Sequence, residues 1–120
     1  MRLEETKEIQ DTEQVQLDKK IKEFKKKYKK IYATTIADEK IIWRTLTRSE
    51  YKELMNLESE NKDLTDRDLL YLREEALARK VILYPKADEI IEDIAAVAEV
   101  ISTECMEKSG FTISNDTERL

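Results

Sequence analysis

The side chains that most often carry out catalysis are scarce in this chain. Histidine, the commonest general base near neutral pH and the commonest metal ligand, is absent. The single cysteine, Cys105, lies in an apolar stripe and has no histidine to activate it, so we expect a small core residue and not a nucleophile. The chain has one glycine, which excludes the glycine-rich loops that hold phosphate groups.

Carboxylates are abundant, and the pairs Glu74-Glu75 and Glu92-Asp93 are candidates for acid and base work. Adjacent residues of a helix point in different directions, however, so these pairs do not form a dyad by themselves and are interpreted as solvated helix faces. One Cys without any His also argues against a zinc site. We therefore predict that the protein is not an enzyme and has no catalytic residue, no cofactor and no metal ion.

A strongly basic segment is the main candidate for binding. Residues 19–30, KKIKEFKKKYKK, hold eight lysines and one glutamate, a local charge of +7. Because the whole chain carries −5, the remainder must carry −12. Three interpretations stay open: a solvated face that offsets an acidic body, docking on an acidic partner or a neighbouring copy, and contact with nucleic acid or an anionic membrane. The segment lacks arginine, so any contact with nucleic acid would be nonspecific. Our expectation for the partners is no specific nucleic acid and no membrane.

The apolar residues in and before this segment recur at helical spacing. Spacings of four, three and four residues place one set on a single helical face, called here the α1 stripe: Leu17, Ile21, Phe24 and Tyr28. No turn signal precedes residue 31. We predict a protruding, lysine-rich amphipathic helix over residues 1–30 that docks on a partner through this stripe.

Residues 31–46 are rich in β-branched and aromatic residues, which predicts one β-hairpin. The expected turn, residues 37–40, lacks an Asn-Gly or Asp-Gly dipeptide, so the sequence predicts a longer loop there. Trp43 lies in the second strand. A lone tryptophan in a small domain belongs more often to the core than to a binding surface, and both possibilities are kept for this residue.

Three further helices are predicted after the hairpin. Thr47 and Glu50 match a capping box at the start of the first, and Thr65 repeats the pattern for the second. Asp88 is the expected cap of the third, whose apolar stripe should be continuous until a left-handed cap at Gly110. The segment 81–84 stays open between a helix end and an extended stretch before a proline.

The composition agrees with these elements. One glycine and one proline in 120 residues, with 41% charged residues, predict a mostly helical α+β fold with short connections. We expect a compact α+β domain over residues 31–111 and a polar tail over residues 112–120. No segment approaches the ~20 apolar residues of a membrane-spanning helix, and no secretory signal is found. The lone cysteine fits a reducing cytoplasm.

Three short segments, taken in their order along the chain, carry a family resemblance. They are residues 42–51 (IWRTLTRSEY), 81–85 (VILYP) and 109–111 (SGF). Together they resemble the tail assembly chaperones of long-tailed bacteriophages, small acidic proteins that often carry an arginine-x-leucine-(Ser/Thr)-arginine-x-glutamate-tyrosine segment after a short hairpin. The resemblance covers about residues 31–111, and the lysine-rich helix has no counterpart in the family pattern.

The resemblance implies a chaperone in the host cytoplasm that binds the tape-measure protein, with tail-tube protein subunits as a further possible partner and a homo-oligomeric state. No active site is needed for such work. The alternative is a structural component of the virion, in tail, baseplate or head, whose N-terminal helix docks on neighbouring subunits. The candidate partner-binding residues are Leu17, Ile21, Phe24, Tyr28, Trp43, Arg44, Arg48 and Tyr51.

Overall fold

The computed structural model describes residues 2–111 and 117–120, with side chains from residue 13 onward. The predicted polar tail therefore falls largely outside the described residues. The chain divides into two compact units, Met1–Ile31 and Tyr32–Leu120. Helix α1, Arg2–Lys27, makes up most of the first and confirms the predicted N-terminal helix. The residues of the α1 stripe are partly buried, and the lysines of segment 19–30 are exposed.

The second unit contains a three-stranded antiparallel sheet in the order β1-β2-β3. Strands β1, Ile31–Ile36, and β2, Glu39–Arg44, form the predicted hairpin. The prediction of a longer turn is wrong, because only Ala37 and Asp38 separate the strands, with φ angles of 50° and 65°. Two positive φ values are typical of a type I′ turn, whose twist matches that of hairpin strands. Ala37 adopts this backbone at a cost of about 1 kcal/mol relative to glycine.

Two capped helices follow the hairpin. Helix α2, Arg48–Glu60, begins with the predicted capping box, since Thr47 and Glu50 each accept a hydrogen bond from the backbone N–H of the other. Helix α3, Asp66–Val81, has Thr65 as its N-cap residue, and the Thr65 hydroxyl accepts a hydrogen bond from the N–H of Asp68. Side-chain oxygens at these positions satisfy amides that have no partner within the helix, and this fixes where each helix starts.

The segment left open by the sequence is extended. Strand β3, Ile82–Tyr84, pairs antiparallel with β2, in a register that places Trp43 opposite Ile82. Because the residue before a proline avoids helical backbone, α3 ends before Pro85 and the chain returns to the sheet. The sheet is therefore one strand wider than the hairpin that the sequence predicts.

The last predicted helix is two helices, so four and not three follow the hairpin in the described chain. These are α4, Ala87–Asp93, and α5, Val97–Lys108, separated at Ile94, whose backbone is extended. Ile94 packs against the core while α4 and α5 both contact α3, so packing overrides the helical preference of the alanines that follow. The predicted cap at Asp88 is also wrong, because the N-cap residue of α4 is Lys86, which forms no capping hydrogen bond through its side chain. Asp88 pairs instead with Arg79, at 3.0 Å.

The core lies where α3, α4, α5 and the inner face of the sheet meet. It contains no buried polar or charged residue among those the structure describes. Trp43 is its largest fully buried side chain, with 1% of its surface exposed. The end of α5 closes the core: Gly110 has a φ of 87°, and the N–H of Phe111 donates to the carbonyl of Met106. This confirms the predicted left-handed cap.

Candidate functional site

The predicted arginine-to-tyrosine segment forms a structural joint between β2 and α2. The Arg44 guanidinium donates two hydrogen bonds to the Glu50 carboxylate, of 2.8 and 2.7 Å, and a third of 3.1 Å to the carbonyl of Lys80. Both side chains are mostly buried, with 16% and 19% exposure. The hydrogen bonds from Arg44 lower the pKa of Glu50 to about 2, against the opposing effect of burial. Arg44 therefore holds the fold together and is not a free binding group.

The same joint is anchored on α5. The hydroxyl of Ser109 accepts a hydrogen bond from the N–H of Leu46 at 2.8 Å, and the Cys105 thiol lies 3.7 Å from the Arg44 carbonyl. Burial raises the pKa of Cys105, which leaves it a protonated, unreactive thiol at neutral pH. Its placement in the core confirms the prediction of a small core residue.

The two aromatic candidates have different environments. The Trp43 ring stacks on Tyr32 at 4.9 Å, and its indole N–H donates to the Thr34 hydroxyl at 2.8 Å. With its surface covered, Trp43 belongs to the core and offers no ring to a partner. Tyr51 is only partly buried: one face stacks on Phe111 at 4.4 Å, and its side chain also lines an open groove.

This groove is a mainly apolar concave surface of the second unit. It has a volume of about 340 Å³ and lies between α2, α3 and α5. Leu54 and Leu77 are buried at its floor, while Leu70 at its edge is 51% exposed. The ten lining residues, called here the α2/α3/α5 groove, are Tyr51, Leu54, Met55, Leu70, Arg73, Glu74, Leu77, Ser102, Thr103 and Met106.

Two charged side chains on α3 line the groove. Arg73 donates to the Glu58 carboxylate at 2.9 Å, but its buried Nε–H has no hydrogen-bond acceptor in the described structure. Glu74 faces Glu99 of α5. Burial and, second, the charge of Glu99 raise the pKa of Glu74. The groove thus combines an apolar floor with an arginine that is paired with Glu58 and with a carboxylate, Glu74, that forms no salt bridge within the part of the chain that the structure describes.

The candidate residues of the second unit have different environments. Arg48 is exposed at the start of α2, and of the eight candidates only Tyr51 lines the groove. The α1 stripe belongs to the other unit. Sequence analysis did not include Leu70 among the candidate binding residues, although Leu70 lines the groove. The sequence did contain an indication of this role. Leu70 directly follows the core position Leu69, so it lies beside the buried face of the helix and indicates a second apolar surface.

No cluster of acidic, cysteine or histidine side chains in the described chain could hold a metal ion. Within the same residues, no helix combines the length and the apolarity that crossing a membrane requires. The groove walls are mainly aliphatic, aromatic and thioether groups, which suit the side chains of an amphipathic helix.

Comparisons of the chain with family models, with curated proteins and with solved structures found no match.

Proposed function

We propose that the protein is a tail assembly chaperone of a long-tailed bacteriophage, which binds amphipathic helical segments of the tape-measure protein. The α2/α3/α5 groove is the surface that binds them. The observation that carries the proposal is this groove itself: three helices leave an apolar trough whose edge residue Leu70 is half exposed. Leu70 and Met55 are both exposed and line the same groove, and a continuous apolar surface of this kind, unlike single scattered apolar residues, indicates a binding site.

A helix fits the groove better than an extended peptide does. The walls are themselves helices, so an added helix would pack its ridges between theirs and complete a small bundle. Met55 and Met106, at opposite walls, are unbranched and flexible, and such side chains adapt to clients whose apolar residues differ. A tape-measure protein presents many unlike helical segments, so an adaptable groove suits this client.

The family resemblance contributes through the fold. The segment shared with the tail assembly chaperones supplies the Arg44–Glu50 pair, the Thr47 cap and the Tyr51 ring. Each of these groups positions α2, one wall of the groove. We therefore interpret the resemblance as a similar connection between the hairpin and helix α2, which forms one wall of the groove.

Photo-crosslinking from inside the groove tests the proposal. A benzophenone side chain at position 70, in cells where the phage assembles its tails, should crosslink to helical segments of the tape-measure protein, identified by mass spectrometry. The matched control is position 71, because Tyr71 is 46% exposed on the same helix but does not line the groove. Equal crosslinking from both positions, or crosslinks from position 70 to no tail protein, would reject the proposal.

The structural-component alternative has one observation in its favour, the 26-residue helix α1 that forms a unit of its own. Such a helix could lie between neighbouring subunits of a particle. The two functions differ in where the protein ends up. A chaperone is absent from purified virions, whereas a component is present at a fixed ratio to other virion proteins, and quantitative mass spectrometry of particles separates them.

A further inference from the structure

We infer that the α2/α3/α5 groove of one copy binds the α1 stripe of a second copy, so that the protein associates with itself by inserting a helix into a groove. The inference rests on the proposed function, since it names the occupant of the same groove when no client helix is bound. The observations that carry it are the match in shape between stripe and groove and the match in charge around them.

The α1 stripe has the form that the groove accepts. Leu17, Ile21 and Phe24 extend over about 10 Å of α1 at a rise of 1.5 Å per residue. Tyr28 follows directly after the helix ends at Lys27, and its N–H still donates to the carbonyl of Phe24. Apolar residues spaced by four, three and four form the continuous ridge that helix-in-groove recognition uses. Phe24, in the middle, is the largest purely apolar side chain of the stripe, and Leu70 and Met55 are the groove residues exposed enough to receive it.

The charges on the two surfaces are opposite. Residues 19–30 carry +7, and Lys20 and Lys25 border the stripe on its two sides, about 70° from its centre at 100° per residue. On the groove side, Glu99 precedes Ser102 by one turn of α5 and lies close enough to Glu74 for their charges to interact. These two carboxylates repel each other in the free chain. Lysines from an inserted helix would relieve that repulsion and steer the encounter.

Pairing of α1 with α1 is disfavoured by the same charges. Two copies of segment 19–30 side by side would bring together two local charges of +7 over the residues that carry the stripe. Like charges at close range oppose association. The surroundings of the groove, where Glu58, Glu74 and Glu99 outnumber Arg73, are the better complement for the stripe.

A complementation experiment tests the inference on the full-length chain. Two variants are prepared, Leu70→Asp with a blocked groove and Phe24→Asp/Tyr28→Asp with a broken stripe. Light scattering should show self-association of the wild type and at least about tenfold weaker association of each variant alone. An equimolar mixture should recover heterodimers, because one variant supplies an intact helix and the other an intact groove. A mixture that stays monomeric while the wild type associates overturns the inference, since pairing of like surfaces gives that result.

Two control variants repeat the charge changes of the test variants on other surfaces of the protein. Tyr71→Asp repeats the charge change of Leu70→Asp outside the groove, and Lys19→Gln/Lys26→Gln repeats the charge change of the helix variant on the face opposite the stripe. Both should associate within about threefold of wild type, and equal loss in a control overturns the inference. Phe24→Ala replaces the double variant if circular dichroism shows lost helix. A monomeric wild type that still crosslinks to the tape-measure protein from position 70 refutes this inference and leaves the proposed function standing.

Discussion

Arg44 and Glu50 are joined by two parallel hydrogen bonds across the turn that connects the sheet to helix α2. The same guanidinium reaches the carbonyl of Lys80 near the end of α3, so one side chain ties together β2, α2 and α3. Two of these three elements carry walls or floor of the groove, since α2 provides Tyr51 and α3 provides Leu70. The joint is therefore what fixes the geometry of the groove.

Replacing Glu50 should destabilise the protein in a pH-dependent way. The folded pKa of about 2 lies below the ordinary value of 4.5, so ionised Glu50 stabilises the fold above pH 4.5. This contribution is lost as the pH falls from 4.5 through about 2. Glu50→Gln should lower the free energy of unfolding by up to about 3 kcal/mol at neutral pH and by much less near the folded pKa. Urea unfolding at a series of pH values measures both.

Glu53→Gln is the matched control for this joint. Glu53 lies on the same helix and pairs with Lys80, but it is 65% exposed. Solvent screens such a pair, so its loss should change stability by less than about 1 kcal/mol with little dependence on pH. Equal losses for the two variants would show that the Arg44–Glu50 pair has no special role in the fold.

Glycine at the first position of the hairpin turn should stabilise the protein. Ala37 has a φ of 50°, which glycine adopts without the strain of a Cβ atom, so Ala37→Gly should stabilise the protein by about 1 kcal/mol. Ala33→Gly in strand β1 is the control, because its backbone is extended and the same substitution there should destabilise by roughly 0.5–1 kcal/mol. Thermal unfolding followed by circular dichroism compares them. Destabilisation by both would contradict the type I′ assignment.

Glu74 should show a trade-off between stability and binding. Burial and the nearby Glu99 raise its pKa, so the ionised carboxylate is disfavoured in the folded chain, and this penalty is present above the folded pKa and absent at acid pH. Glu74→Gln should therefore raise the unfolding temperature at neutral pH but weaken self-association. Calorimetry and light scattering on the same sample measure the two effects. A variant with a lower unfolding temperature and unchanged self-association would show that Glu74 does not belong to the interface.

The elements that depend on local chemistry were predictable from the sequence. The Thr47 capping box and the Gly110 cap each satisfy backbone groups with partners a few residues away, so the residue types alone indicate them. The α1 helix was predictable for a similar reason, since its period is regular and nothing interrupts it.

The elements that depend on distant contacts were not predictable. The break at Ile94 has no proline or glycine to mark it and results from packing on α3. The turn at Ala37-Asp38 lacks its usual residues because the pairing of the strands imposes it. The groove was missed for a related reason: its walls come from three helices, and the periodicity of any single helix identifies the core face but not the surface that two neighbours leave uncovered.

The most direct test of the groove as the partner-binding surface is co-purification with the tape-measure protein from cells that express both. Leu70→Asp should reduce the tape-measure protein recovered with the tagged chain at least about tenfold, because a charge in the groove opposes burial of an apolar client side chain. Tyr71→Asp should recover it at the wild-type level. Full recovery with Leu70→Asp, or equal loss with both variants, would contradict the account.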